Sequence, residues 1–132
     1  MITALLVGLA GTTGALLRYG TDAGIEAYHA RRRQTPQRDV PFPAGTLIAN
    51  AVGSLIIGLC WGTLREAQLD IGQYNILAVG LAGGLTTFST LSVAAVTLWR
   101  DGRVGAAVVH VAGNLVLGLG AAWLGLRLVG AL

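Results

Sequence analysis

The residues best suited to chemistry are amides, hydroxyls and an imidazole set in apolar sequence. Residues 83–92 read GGLTTFSTLS: two glycines, then five hydroxyl side chains (Thr86, Thr87, Ser89, Thr90 and Ser92) around one phenyl ring, Phe88, with no charge. Thr46 and Asn50 stand four apart and continue to Ser54, and His110, Asn114 and Gly118 repeat that interval. On a helix this spacing puts each set on one face. No nucleophile, base and acid fall in one plausible site, and His29 and His110 belong to different regions, so neither an enzyme nor a metal cluster of side chains is indicated. Amide N–H, hydroxyl O–H and the positive edge of a phenyl ring can all face an anion. Neutral donors replace part of an anion's water and then release it, where a formal cation would hold it. The chemistry implied is passage of a small anion.

Such groups must be positioned by elements that cross a bilayer. The chain has 132 residues, 54% of them hydrophobic and only 11% charged, with a mean hydropathy of +0.68, well outside the range of soluble domains. Apolar spans fall at about residues 2–20, 44–64, 74–99 and 104–127, each close to the ~20 residues a membrane-crossing helix needs. The acidic residues Asp22, Glu26, Asp39, Glu66, Asp70 and Asp101 lie between them, as the cost of charge in hydrocarbon requires. The expected fold is an all-α integral membrane protein, a single four-helix unit over residues 1–132. A basic loop occupies residues 21–43, into which the first helix extends as far as Ala30 at most. The first span has no basic residue ahead of it and no cleavage site, so it reads as a retained helix. Cys60 stands alone and reads as a small packing residue. A third span of about 25 residues would be ~37 Å long, more than the hydrocarbon thickness, so it can contain an interruption. The third helix is expected to break near Gly83–Phe88, the glycines permitting the break and the hydroxyls satisfying its backbone.

All nine basic residues are arginines. Arg18, Arg31, Arg32, Arg33 and Arg38 lie at or after the end of the first span, Arg100 and Arg103 in the third connection, and only Arg65 and Arg127 on the other side. This split of 7 to 2 puts the first and third connections in the cytoplasm and both termini outside. The basic character therefore reads as topology, and no nucleic-acid partner is implied.

Four stretches carry a resemblance in the same order along the chain: GTTGALLRY at 11–19, PAGTLIANAVGS at 43–54, GLAGGLTTFST at 80–90 and RVGAAVVHVAGN at 103–114. Together they resemble the Fluc (CrcB) fluoride channels. The resemblance implies a prokaryotic plasma-membrane channel that exports fluoride passively through two pores of an antiparallel dimer. It implies a fluoride pathway along Asn50, Thr46, Phe88, Ser89, Thr90, His110 and Asn114, with Arg18 near the vestibule. It also implies a sodium ion at the dimer centre, held by backbone carbonyls of Gly83 and Thr86 and by the same pair from the partner. Three positions depart from the family pattern: Leu91 replaces a second pore phenylalanine, Ala94 an acidic residue, and His110 a common tyrosine. Leu91 and the arginine bias leave the partner as an identical copy or an oppositely oriented paralogue. The competing expectations are a small multidrug-type four-helix transporter, which would need an embedded glutamate absent from these spans, and a structural subunit of a heteromeric channel.

Overall fold

The computed structural model describes residues 1–32 and 42–130. The loop positions Arg33, Pro36, Arg38, Asp39 and Pro41 lie outside the described residues. Helix α1 covers Ile2–Arg32 and α2 covers Ala44–Arg65. Helix α3 starts with an α-helical turn, Ile71–Tyr74, continues as a π-helix over Asn75–Ala82 and closes with Gly83–Leu85. Helix α4 covers Phe88–Arg100 and α5 covers Val104–Leu128. With α3 and α4 forming one interrupted span, four helical segments are long and apolar enough to cross a membrane. The described residues contain no strand.

The first helix is longer than its sequence suggests. Residues 21–30, into which the first helix was expected to reach at its longest, are helical, and the helix runs on to Arg32. Between Gly20 and Arg32 no proline interrupts the helix, Ala23, Ala27 and Ala30 favour it, and the Thr21 hydroxyl donates back to the Leu17 carbonyl at 2.9 Å. At 31 residues α1 is about 46 Å long, so it outreaches ~30 Å of hydrocarbon. The third span starts at Ile71 because Asp70 and Gln73 form a reciprocal capping box, with bonds of 2.9 and 3.0 Å.

Close glycine contacts show how the helices run. A Cβ on Gly80 would stand 2.8 Å from the Val7 carbonyl oxygen, one on Gly84 would overlap the backbone of Gly11, and one on Gly14 would stand 2.7 Å from the Leu85 nitrogen. Position therefore rises along α1 and α3 together, and the two are parallel. Likewise Asn50 meets Asn114, a Cβ on Gly118 would lie 3.3 Å from Ser54 Oγ, and Gly58 abuts the Ala122 backbone, so α2 and α5 are parallel. Helix α2 runs against α3 and α4, with Gly53 beside Ala82 and Asn50 beside Thr87. The interior is accordingly built from small residues, including Ala49, Ala78, Ala82 and Ala107, while Val108, Val116 and Leu119 face outward. Lipid provides no hydrophobic force between helices, so close backbone approach and dispersion must hold them. At the start of α2, where Pro43 has no capping side chain, the Asp22 carboxylate of α1 lies against Gly45 and complements the positive helix end.

These contacts predict a contrast between two glycines. Gly84→Ala should destabilise the protein by about 1–3 kcal/mol through overpacking against α1. Gly24→Ala, with nothing within 4 Å of the added atom, should not. Thermal unfolding in detergent measures both, and equal melting temperatures for the two variants would contradict the α1–α3 packing.

Candidate functional site

The interruption consists of Thr86 and Thr87, both extended, at φ −78° ψ 155° and φ −154° ψ 126°. Gly83 remains right-handed helical at φ −63° ψ −38°, and Gly84 lies within the last turn of α3. The glycines therefore do not form the break as the sequence suggested. Gly84 lets α1 and α3 touch, and the two threonines supply the extended residues.

The backbone groups of Thr86 and Thr87 each have a named partner. Thr86 N–H donates to the Ala82 carbonyl at 2.9 Å. The Thr86 carbonyl accepts from Arg18 Nη1 at 3.1 Å, so this arginine reaches across from α1 to the break itself. Thr87 N–H donates to Asn50 Oδ1 at 2.8 Å, and the Thr87 carbonyl accepts from Asn50 Nδ2 at 3.2 Å. One carboxamide thus grips both backbone groups of a single residue, in the manner of a paired strand. The Thr87 side chain caps α4, accepting from Thr90 N–H at 3.2 Å. Its hydroxyl also lies 3.1 Å from Ser89 Oγ and bonds Thr90 Oγ1 at 3.2 Å. Ser92 does not join this cluster, because its hydroxyl bonds back to the Phe88 carbonyl at 2.8 Å.

A second polar line joins α2 to α5. Asn50 Nδ2 also donates to Asn114 Oδ1 at 2.8 Å, and Asn114 Nδ2 donates to the His110 carbonyl at 2.9 Å. Thr46 and His110 are enclosed one turn from these amides, at 2% and 0% exposure. The His110 ring meets Phe42 edge to face, with centroids 5.8 Å apart. Sequence reading did not assign a role to Phe42, and it gave Thr87 only a hydroxyl's share in satisfying the break. Phe42 precedes Thr46, Asn50 and Ser54 at the same interval of four, a signal hidden by its position ahead of the helix.

An open groove of about 540 Å³ gathers Asn50, Thr86, Thr87, Phe88, Leu91 and Asn114. Phe88 projects with 80% of its surface exposed, between the polar side chains of Thr87 and Ser89. Ser89 and Thr90 connect to the groove through the Thr87 hydroxyl. Thr46 and His110 are not among its walls but lie farther along the α2–α5 seam. Asn50 lines the groove, yet both of its Nδ2 protons are used by Thr87 and Asn114. The groups left with donor capacity toward the opening are hydroxyls and the phenyl edge.

The described residues hold no group of three or more His, Cys, Asp or Glu, so a cation would depend on backbone oxygen. The Gly83 carbonyl receives only a long contact, 3.5 Å, from Thr86 Oγ1, and the Thr86 carbonyl keeps a second lone pair beyond its bond to Arg18. Neutral oxygens of this kind suit a hard cation, and Gly83 is exposed on this face. The free lone pairs of the Gly83 and Thr86 carbonyls are chemically compatible with such an ion.

The chain is similar to several known proteins. Residues 5–126 match the sequence profile of the family described as CrcB-like protein, Camphor Resistance (CrcB). A protein named fluoride-specific ion channel FluC from Renibacterium salmoninarum is 47% identical over 124 residues, covering 94% of this chain and 96% of its own length. One of the same name from Thermus thermophilus is 43% identical over 128 residues, covering 97% and 94%. Fluoride-specific ion channel FluC 2 from Rhodococcus jostii is 39% identical over 127 residues, covering 96% and 98%. A multi-pass helical bundle, with a polar break inside its third span and relatives that are ion channels and not enzymes, belongs to the CrcB family.

Proposed function

We propose that the chain is a subunit of a fluoride channel that lets fluoride leave the cytoplasm passively. The observation that carries this reading is the broken span, whose two extended residues, Thr86 and Thr87, are bonded from within the protein while Phe88 and the neighbouring hydroxyls are left facing an open groove. Bare fluoride in a low-dielectric interior would cost tens of kcal/mol, so donors must take over from water step by step. The hydroxyls of Thr86, Ser89 and Thr90 and the ring edge of Phe88 are suited to that task. Asn50 and Asn114 hold the walls apart at fixed spacing. Arg18 stands one step behind, its charge directed to the Thr86 carbonyl, where it favours an anion without holding it.

The assembly proposed is an antiparallel dimer, because a groove open on one side is half of a pathway. A sodium ion held by the Gly83 and Thr86 carbonyls of both subunits would compensate the carbonyl dipoles at the two breaks. The partner is proposed to be an oppositely oriented paralogue, since Leu91 offers no ring edge to the groove and the arginine split of 7 to 2 favours one insertion. In that orientation both termini face outward.

Liposomes containing the chain with its partner should lose fluoride rapidly, without a proton gradient, and retain chloride. Vesicles that keep their fluoride would refute the channel reading. Asn50→Ala should lower the flux by at least about tenfold, because it strips partners from Thr87 and Asn114 at about 1–3 kcal/mol per buried group. The same variant should speed amide exchange at Thr87, and unchanged flux with unchanged exchange would show that the clamp is dispensable. For the pairing, a C-terminal tag should be labelled from the outside only. Equal labelling from both sides would mean that one chain inserts both ways and pairs with itself.

A further inference from the structure

The line of side chains from the break to His110 also determines where the imidazole proton sits. Both ends of the line are backbone groups whose roles are unambiguous. The Thr87 N–H can only donate, so the Asn50 atom 2.8 Å away is its oxygen, and Asn50 Nδ2 faces Asn114. Asn114 therefore presents Oδ1 to Asn50 and turns Nδ2 toward His110, whose carbonyl can only accept, at 2.9 Å. The same Nδ2 lies 3.5 Å from His110 Nδ1. A ring nitrogen facing a donor is the unprotonated one, and a neutral imidazole then carries its proton on Nε2. Nε2 is buried and has no hydrogen-bond partner among the described residues. The ring's aromatic neighbour is Phe42, at the start of α2. A buried donor without an acceptor is costly, and proteins keep one where something other than the chain uses it.

We propose that Asn114, held by Asn50, is a positioning residue that fixes His110 as the Nε2–H tautomer and so reserves a neutral, enclosed donor for fluoride, reached when the Phe42 ring turns aside. The tautomer is inferred from the direction of the neighbouring hydrogen bonds, whereas the choice of fluoride as acceptor rests on the channel reading above. Neutrality matters here as it does along the groove, because a neutral N–H can hand the ion on.

The test is nitrogen-15 NMR of histidine-labelled, purified dimer, with His29→Gln so that one imidazole is observed. At neutral pH the wild-type ring should show a pyridine-type Nδ1 and a pyrrole-type Nε2. Sodium fluoride, and not sodium chloride, should shift the Nε2 resonance, and Phe42→Ala should bring that shift to lower fluoride concentrations. Asn114→Asp, which presents an acceptor to Nδ1, should move the proton to Nδ1. In liposomes His110→Phe should slow fluoride loss about tenfold, the effect of removing a hydrogen bond to a charged group. A proton on Nδ1 in the unmodified ring overturns the proposal, as does an Nε2 signal indifferent to fluoride, and neither measurement needs the Asn114 variant to fold. Fluoride-tight vesicles with Nε2–H intact would refute the channel reading alone, while a conducting protein with Nδ1–H would refute the relay alone.

Discussion

A peptide unit without hydrogen-bond partners is nearly intolerable at membrane depth, and the interruption at Thr86–Thr87 creates two of them. The remedy sets the architecture. Arg18 comes from α1, Asn50 from α2 and the capping hydroxyl from the head of α4, so three elements are tied to one point. A helix that shifted along its axis by a single residue, about 1.5 Å, would leave at least one of these groups unpaired. The break is therefore the reference against which the bundle is aligned.

That alignment requires backbones close enough for side chains as short as asparagine to span them. Glycines at 11, 14, 80 and 84 bring α1 onto α3, and those at 58 and 125 bring α2 onto α5. Large residues are displaced outward, into contact with lipid, which solvates them as well as a protein core would. Small interior residues and long-range amide bonds thus depend on each other. A bulkier seam would separate Asn50 from Asn114, and weaker polar bonds would leave the seam with dispersion alone.

Much of this was legible in the sequence. Spans, charge-free interiors and the location of the interruption follow from hydropathy and length, which act locally. The polar tracks of α2 and α5 follow from spacing, and the structure joins them at Asn50 and Asn114. Three features were less accessible. The reach of α1 to Arg32 depends on the absence of a breaker more than on any positive signal. The role of Gly84 depends on what faces it, and a glycine that permits contact cannot be told from one that permits a turn by its identity. The engagement of Asn50 is a tertiary fact: spacing places a carboxamide on a face, but not which protons are already committed.

The distinction between committed and uncommitted donors bears on how one site can be rigid and still release an ion. An amide bonded at both protons cannot follow a moving ion without breaking the frame, so it contributes a fixed dipole and a fixed distance. Hydroxyl protons rotate about a single bond at little cost, and a phenyl edge offers attraction without a directional bond. In this chain Asn114 is buried and Asn50 half-buried in the seam, while Ser89 and Phe88 are exposed. Stiffness therefore lies in the seam and adaptability at the opening. Such a division suits conduction better than binding, because an ion passed among rotating donors never meets a site complete enough to retain it.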